Sequence, residues 1–177
     1  VSEPQYLDDV ARLLREFGAL AGDAALAERH ARQFLQQRDA LLHQQVQRGE
    51  APIPLLVALW HQPLLLLGGQ QLANEVLALC GARNRHADRP GTTLTLSMEQ
   101  VLRDDPAFIL STSLDVSGAQ QYWGRYPGLR AVRRGGVLVH ADPALFGMGP
   151  GVLQAAQSLC PRIAALGVAP DAAPGVR

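Results

Sequence analysis

Apolar positions change rhythm about a third of the way along the chain. Up to residue 50 they recur at helical spacing. Ser2 can cap a first helix and Pro4 suits its first turn. Leu7, Val10, Leu14 and Phe17 then repeat every three or four residues, and Gly18 is positioned to end the element. A longer helix is predicted from Asp23 to about Gln47, carrying Leu26, His30, Phe34 and Leu41 among many polar residues. A helix this long and this polar faces water over much of its length.

After "GEAPIP", residues 49–54, the apolar residues come in unbroken blocks. "LLVALW", residues 55–60, reads as a strand buried on both faces, and "AFILST" (107–112) and "GVLVHA" (136–141) read the same way. Helices separate and follow these blocks. One runs from Gln70 to Cys80 with Leu72, Val76, Leu79 and Cys80 on one side. Another opens with the capping pair Ser97 and Gln100, and a third with Ser117 and Gln120 before Tyr122 and Trp123. The last starts at Pro150 and runs to about Leu166, burying Val152, Ala156, Leu159 and Ile163. The pattern predicts an α/β fold of three Rossmann-like layers, a mainly parallel sheet with helices on both faces, preceded by two helices. The expected division is a helical segment over 1–50, an α/β lobe over 51–168 and a loose tail over 169–177.

Ligands of such sheets sit beyond the carboxyl ends of the strands. "WHQPLLLLGG", residues 60–69, leaves the first strand at that rim. Its Pro63 and glycine pair predict a loop there rather than a strand for the four leucines.

Composition removes several functions. With 177 residues and 47% apolar, the chain can build one domain with a real core, with room for an appendage. Sixteen basic and sixteen acidic side chains cancel, so there is no electrostatic footprint for nucleic acid or anionic lipid. No apolar stretch approaches the roughly 20 residues of a membrane helix, so no direct insertion is expected. No signal peptide opens the chain, as is also true of any mature or trimmed protein. The two cysteines, Cys80 and Cys160, are too few for a tetrahedral metal site; they are either two buried thiols or one disulfide.

Catalytic signatures are missing as well. Gly68–Gly69 and "GMGPG" (147–151) lack the spacing of phosphate-binding loops. "STS" (111–113) has no nucleophile elbow around it, and His30, His43, His61, His86 and His140 are scattered without an HExxH. No polar constellation converges at the strand ends, so an enzyme is not expected. His61, beside Trp60 at the rim, reads either as a contact to a ligand or metal or as a loop histidine bonded to backbone or water. Trp60 and Phe146 both fall in predicted loops after strands. Their faces suit a large flat apolar ligand, or equally the covering of a core edge. Tyr122 and Trp123 lie inside a helix and are expected in the core. Glu99, second in its helix, is favoured there by the helix dipole alone.

Taken together these blocks resemble a known family. "VSEPQYLDDVARLLREFGALAG" looks like the segment that follows the N-terminal lobe in cobalamin-binding proteins of bacterial ABC importers, and the helix after it like the strut joining their two lobes. "WHQPLLLLGGQQLANEVLALCGARNRHAD", "SMEQVLRDDPAFIL", "QYWGRYPGLRAVRRGGVLVHADPAL" and "GPGVLQAAQSLC" are similar to the family's later blocks, in the same order. The resemblance implies the class III substrate-binding fold of two α/β lobes with ligand between them. This chain would supply the strut and the C-terminal lobe, and the N-terminal lobe would be its missing partner. It implies a periplasmic, non-catalytic carrier of a corrinoid that uses no cofactor and hands its ligand to an ABC permease. Haem or a ferric siderophore is the alternative cargo on the same fold; a small α/β enzyme or a scaffold module is the alternative of another class.

By position, the resemblance implies ligand contacts from Trp60, His61, Gln62 and Pro63, from the stretch at Thr93, and from Asp142, Pro143, Ala144, Leu145, Phe146 and Gly147. Glu99 matches the acidic residue that docks on basic residues of the permease. Cys80 and Cys160 match a pair that is disulfide-bonded in close relatives. The chain also departs from the pattern. Leu66 stands where a polar residue is usual, Gly147 and Gly151 where arginines are common, and Thr93 where one relative has a tryptophan. The surface that the other lobe would cover is expected to invite a homodimer.

Overall fold

A computed structural model describes residues 4–147 and 149–168, so Ser2 and the tail over 169–177 lie outside the described residues. The chain opens with an antiparallel helical hairpin, α1 (Leu7–Leu20) and α2 (Ala24–Arg48). The helix does not stop at Gly18. A Cβ there would stand 2.0 Å from the Cβ of Ala27, so the missing side chain of Gly18 lets α2 pack directly against α1. The turn comes later, at Gly22 with φ +80°, and Asp23 caps α2 by accepting from Leu26 N at 3.0 Å. Along α2 the buried side chains are Ala27, Ala31, Phe34 and Leu41, and much of the remainder meets water, as the polar sequence requires.

The first apolar block forms β1 (Ile53–His61) at the centre of a six-stranded sheet. Contrary to the loop expected, the leucines form a strand, β2 (Leu64–Leu67). The chain reverses at Gln62 and Pro63, whose peptide bond is cis, and β2 returns antiparallel to β1 with His61 opposite Leu64 and Trp60 opposite Leu65. Pro63 sits in the turn, where it interrupts no ladder, and the glycines lie beyond the strand's end. After α3 (Ala73–Leu79), the short strand β3 (Ala82–Asn84) pairs parallel with the opening of β1. β4 (Thr93–Thr95) adds an antiparallel edge beside β2.

The rest follows the predicted alternation. α4 (Met98–Asp104) begins at the capping box, with Ser97 N donating to Gln100 Oε1 at 2.9 Å. β5 (Ile109–Ser111) lies parallel to β1, α5 (Val116–Gly124) and α6 (Arg130–Arg133) follow, and β6 (Val137–Val139) lies parallel to β5. A 3₁₀ turn (Pro143–Phe146) leads into α7 (Gly151–Val168). The cap of α5 is Asp115, which accepts from Gly118 N at 2.8 Å, and not Ser117. A carboxylate two residues earlier competes for the same helix start and wins, because charge-assisted capping adds the dipole term.

The sheet order is β4-β2-β1-β5-β6, with β3 alongside the first half of β1. Alternation along β1 divides the interior. Leu55 and Val57 face a core shared with α1, α2, α3 and α7; Leu56 and Ala58 face a smaller one with Val101, Tyr122, Trp123 and Leu129. Both faces are covered, which is why the block has no polar positions. Cys80, capping the end of α3, and Cys160, within α7, are joined in a disulfide with Cα atoms 4.4 Å apart.

Candidate functional site

The parallel strands β1 and β5 end side by side, and the carboxyl rim they form opens into a cleft of about 340 Å³. One wall is the end of β1 and its turn, with Trp60, His61 and Gln62. The other is the β5–α5 connection and the first turns of α5, with Ser113, Asp115, Gly118, Ala119, Tyr122 and Arg125.

Trp60 does not lie in a loop but next to the end of β1, and the residue is 59% exposed. The indole N–H donates to Gln62 O at 3.0 Å, so its donor is already satisfied within the turn. His61 is half-buried. Its Nε2 lies 2.9 Å from Ser111 Oγ on β5, and its ring stacks on Tyr122 at 4.6 Å with the edge of Trp123 at 5.8 Å. Burial, and secondarily the cation of Arg125, hold the imidazole below its ordinary pKa, so His61 is a neutral wall at neutral pH. Arg125 lies over the Tyr122 ring, 4.8 Å from its centre. Asp115 is held by Gly118 N, and a Cβ at Gly118 would stand 2.0 Å from Asp115 Oδ2. The glycine therefore leaves room for the capping carboxylate.

The other residues expected to meet ligand are distributed differently. Asp142 follows β6 at the same rim and accepts from Ala144 N at 2.9 Å, capping the 3₁₀ turn that holds Pro143 and Ala144. Leu145 is 1% exposed and packs into the larger core, so its side chain holds the turn down and offers no surface. Phe146 packs against the same core and, with Gly147, lines a separate crevice of about 110 Å³ together with Gln70, Gln71 and Thr92. Thr93 is exposed on the edge strand opposite Leu67, outside both clefts. Pro63 is exposed in the turn. The structure thus brings Trp60, His61 and Gln62 together, sets Phe146 and Gly147 on the other face of the sheet, and adds Ser113, Asp115 and Arg125, which sequence reasoning missed. The available signal was "DVSG", residues 115–118, an aspartate-capped helix start placed just past a buried strand.

Glu99 is exposed in the first turn of α4. Because β4 runs antiparallel to β2, it climbs toward the carboxyl end of β1, and α4 begins there. The Ser97 hydroxyl is the main cause that holds the Glu99 carboxyl below its ordinary pKa, so it is ionised at the rim. Among the described residues no group of three or more His, Cys, Asp or Glu side chains is arranged to hold a metal, and no helix is long and apolar enough to cross a membrane.

No protein-family model matches the chain. Curated relatives do. The vitamin B12-binding protein of Pectobacterium atrosepticum is 31% identical over 176 residues, covering 97% of this chain and 61% of the relative. That of Pectobacterium carotovorum is 30% identical over 166 residues, covering 93% and 58%. The chain therefore spans about three-fifths of the length of the curated relatives it matches. Among solved structures, the periplasmic vitamin B12 binding protein BtuF of Vibrio cholerae superposes with a TM-score of 0.83 at 23% identity, covering 94% of this chain and 65% of that one. The periplasmic heme-binding protein RhuT from Roseiflexus superposes with a TM-score of 0.79 at 24% identity, covering 93% and 65%. Sequence along nearly the whole chain and the shared architecture make this protein a homologue of the vitamin B12-binding proteins, corresponding to the C-terminal part of their class III periplasmic binding fold.

Proposed function

We propose that this chain is the C-terminal lobe, with its interlobe helix, of the substrate-binding component of an ABC importer, and that it works in the periplasm as one wall of a corrinoid site. The observation that carries the proposal is identity of 30–31% with vitamin B12-binding proteins across 93–97% of the chain. The rim supports it: an exposed tryptophan at Trp60, a neutral histidine beside it, and an open cleft at the carboxyl ends of parallel strands. Function is then binding and delivery. The ligand is closed between this lobe and an N-terminal one, and Glu99 at the rim meets a basic residue of the permease.

Haem is the second reading, favoured by structural neighbours named as heme-binding proteins, RhuT at a TM-score of 0.79 and HutB of Vibrio cholerae at 0.76. Absorbance titration of the full-length protein with cyanocobalamin and with haemin separates the two. Saturable, stoichiometric cobalamin binding is expected, and Trp60→Ala should weaken it by about 1 to 3 kcal/mol as the covered indole is lost. Binding of haemin without cobalamin would replace the corrinoid reading; binding of neither would remove both.

A further inference from the structure

The cleft between Trp60 and α5 has a charge pattern that bears on which tetrapyrrole it accepts. Its two ionised side chains are of opposite sign, Asp115 on the cap of α5 and Arg125 one helix length further on, because His61 is neutral. Both are held by the protein. Asp115 Oδ1 accepts from Gly118 N at 2.8 Å, and the Arg125 guanidinium rests over Tyr122 at 4.8 Å. Gln62 and Ser113 add an amide and a hydroxyl to the same walls, and Trp60 adds an apolar face. A site built to take a carboxylate would concentrate donors and cations. This one holds one acceptor, Asp115, and one cationic donor, Arg125, along the same helix.

The geometry points to a subsite for an uncharged carboxamide. The amide N–H of one ligand carboxamide would donate to Asp115, the C=O of one would accept from Arg125, and the ligand's apolar edge would lie on Trp60. Corrinoids carry carboxamides around their periphery, whereas haem carries two carboxylates. The cleft therefore deepens the function proposed above, on which it rests, by naming α5 as the element that selects the amide-bearing ligand. A carboxylate entering the same place would face Asp115, and like charges brought together across a site oppose binding.

The test compares the full-length protein's affinity for cyanocobalamin with its affinities for the set of monocarboxylate derivatives in which one peripheral amide has been hydrolysed, by titration in low salt at pH 7.5. The wild type should bind at least one derivative roughly tenfold more weakly than cyanocobalamin, a difference of about 1.4 kcal/mol. Asp115→Asn should abolish most of that discrimination while leaving the fold intact, since asparagine still caps the helix and only the small charge–dipole contribution is lost. Arg125→Gln should weaken cyanocobalamin without relieving the discrimination. If cyanocobalamin binds but Asp115→Asn leaves every ratio unchanged, the subsite is overturned and the corrinoid reading stands. If the wild type binds no corrinoid, both fall.

Discussion

Removing the disulfide is the perturbation whose cost can be worked most directly from the structure. Cys80 ends α3 and Cys160 lies in α7, and the bond joins residues separated by 80 positions. In the chain-entropy model, a closed loop of that length removes about 15 cal/mol/K from the unfolded chain, or about 4.5 kcal/mol at 25 °C. At roughly 2 cal/mol/K per residue, a chain of 177 residues has an unfolding entropy near 370 cal/mol/K, so the midpoint should fall by about 12 °C. The native state should survive. Both sulfurs are buried in the larger core, so α3 and α7 stay packed through Val76, Leu77, Val152 and Leu159 without the bond. The assay is thermal unfolding followed by far-UV circular dichroism, for the oxidised protein, the reduced protein and Cys80→Ala/Cys160→Ala. Thiol titration of the denatured, unreduced protein should find no free thiol. Two titrating thiols would remove the bond itself, and a midpoint that moves by less than about 4 °C on reduction would refute loop closure as the source of stability.

Gly69→Ala should destabilise the lobe by about 1 to 3 kcal/mol, because the added methyl would stand 2.2 Å from Ala87 O and 2.6 Å from Arg89 O; Gly124→Ala, with nothing within 4 Å, should be neutral or stabilising in the same urea titration. His61, His86 and His140 all have folded pKa values lowered first by burial, so their unfolded forms take up protons more readily. Stability should be full above pH 6.5 and decline as the pH falls below it, and His140→Gln should flatten that decline; an unchanged profile would remove His140 from the account. Glu99→Ala should leave the unfolding transition and corrinoid affinity unmoved while uptake in cells, or capture by the permease at low salt, is lost, and normal uptake would reduce Glu99 to a helix-start residue.

Local pattern determined much of this protein. The continuous block from Leu55 to Trp60 predicted a strand covered on both faces; Leu55 to Ala58 are buried, while Leu59 is half-buried and Trp60, at the rim, is exposed. The spacing of Phe34 and Leu41 among polar neighbours predicted a long, wet helix, and Ser97 with Gln100 marked the start of α4 to the residue. These signals are legible because hydrogen bonds within a turn, and burial on both sides of a strand, leave traces within a few residues of sequence. Order along the chain also carried the family resemblance, and with it the pairing of the cysteines, which spacing by itself left open.

Other features depend on partners far away in the chain. The leucine run is a strand because β1 stands ready to pair with it across a tight reversal at Pro63, and β4 is a strand because Thr93 and Thr95 find Leu67 and Leu65. Three residues of Thr-Leu-Thr have no preference strong enough to announce an edge strand. The cleft likewise exists only through tertiary pairing. Parallel alignment of β1 with β5 brings His61 to Ser111, fifty residues on, and thereby sets Trp60 opposite Asp115 and Arg125. The same register places Phe146 on the other face and buries Leu145, although both sit within one loop in sequence. Which side chains share a cleft is decided by strand order and by which face each residue occupies, and neither is encoded in the local run of residues where the side chain sits.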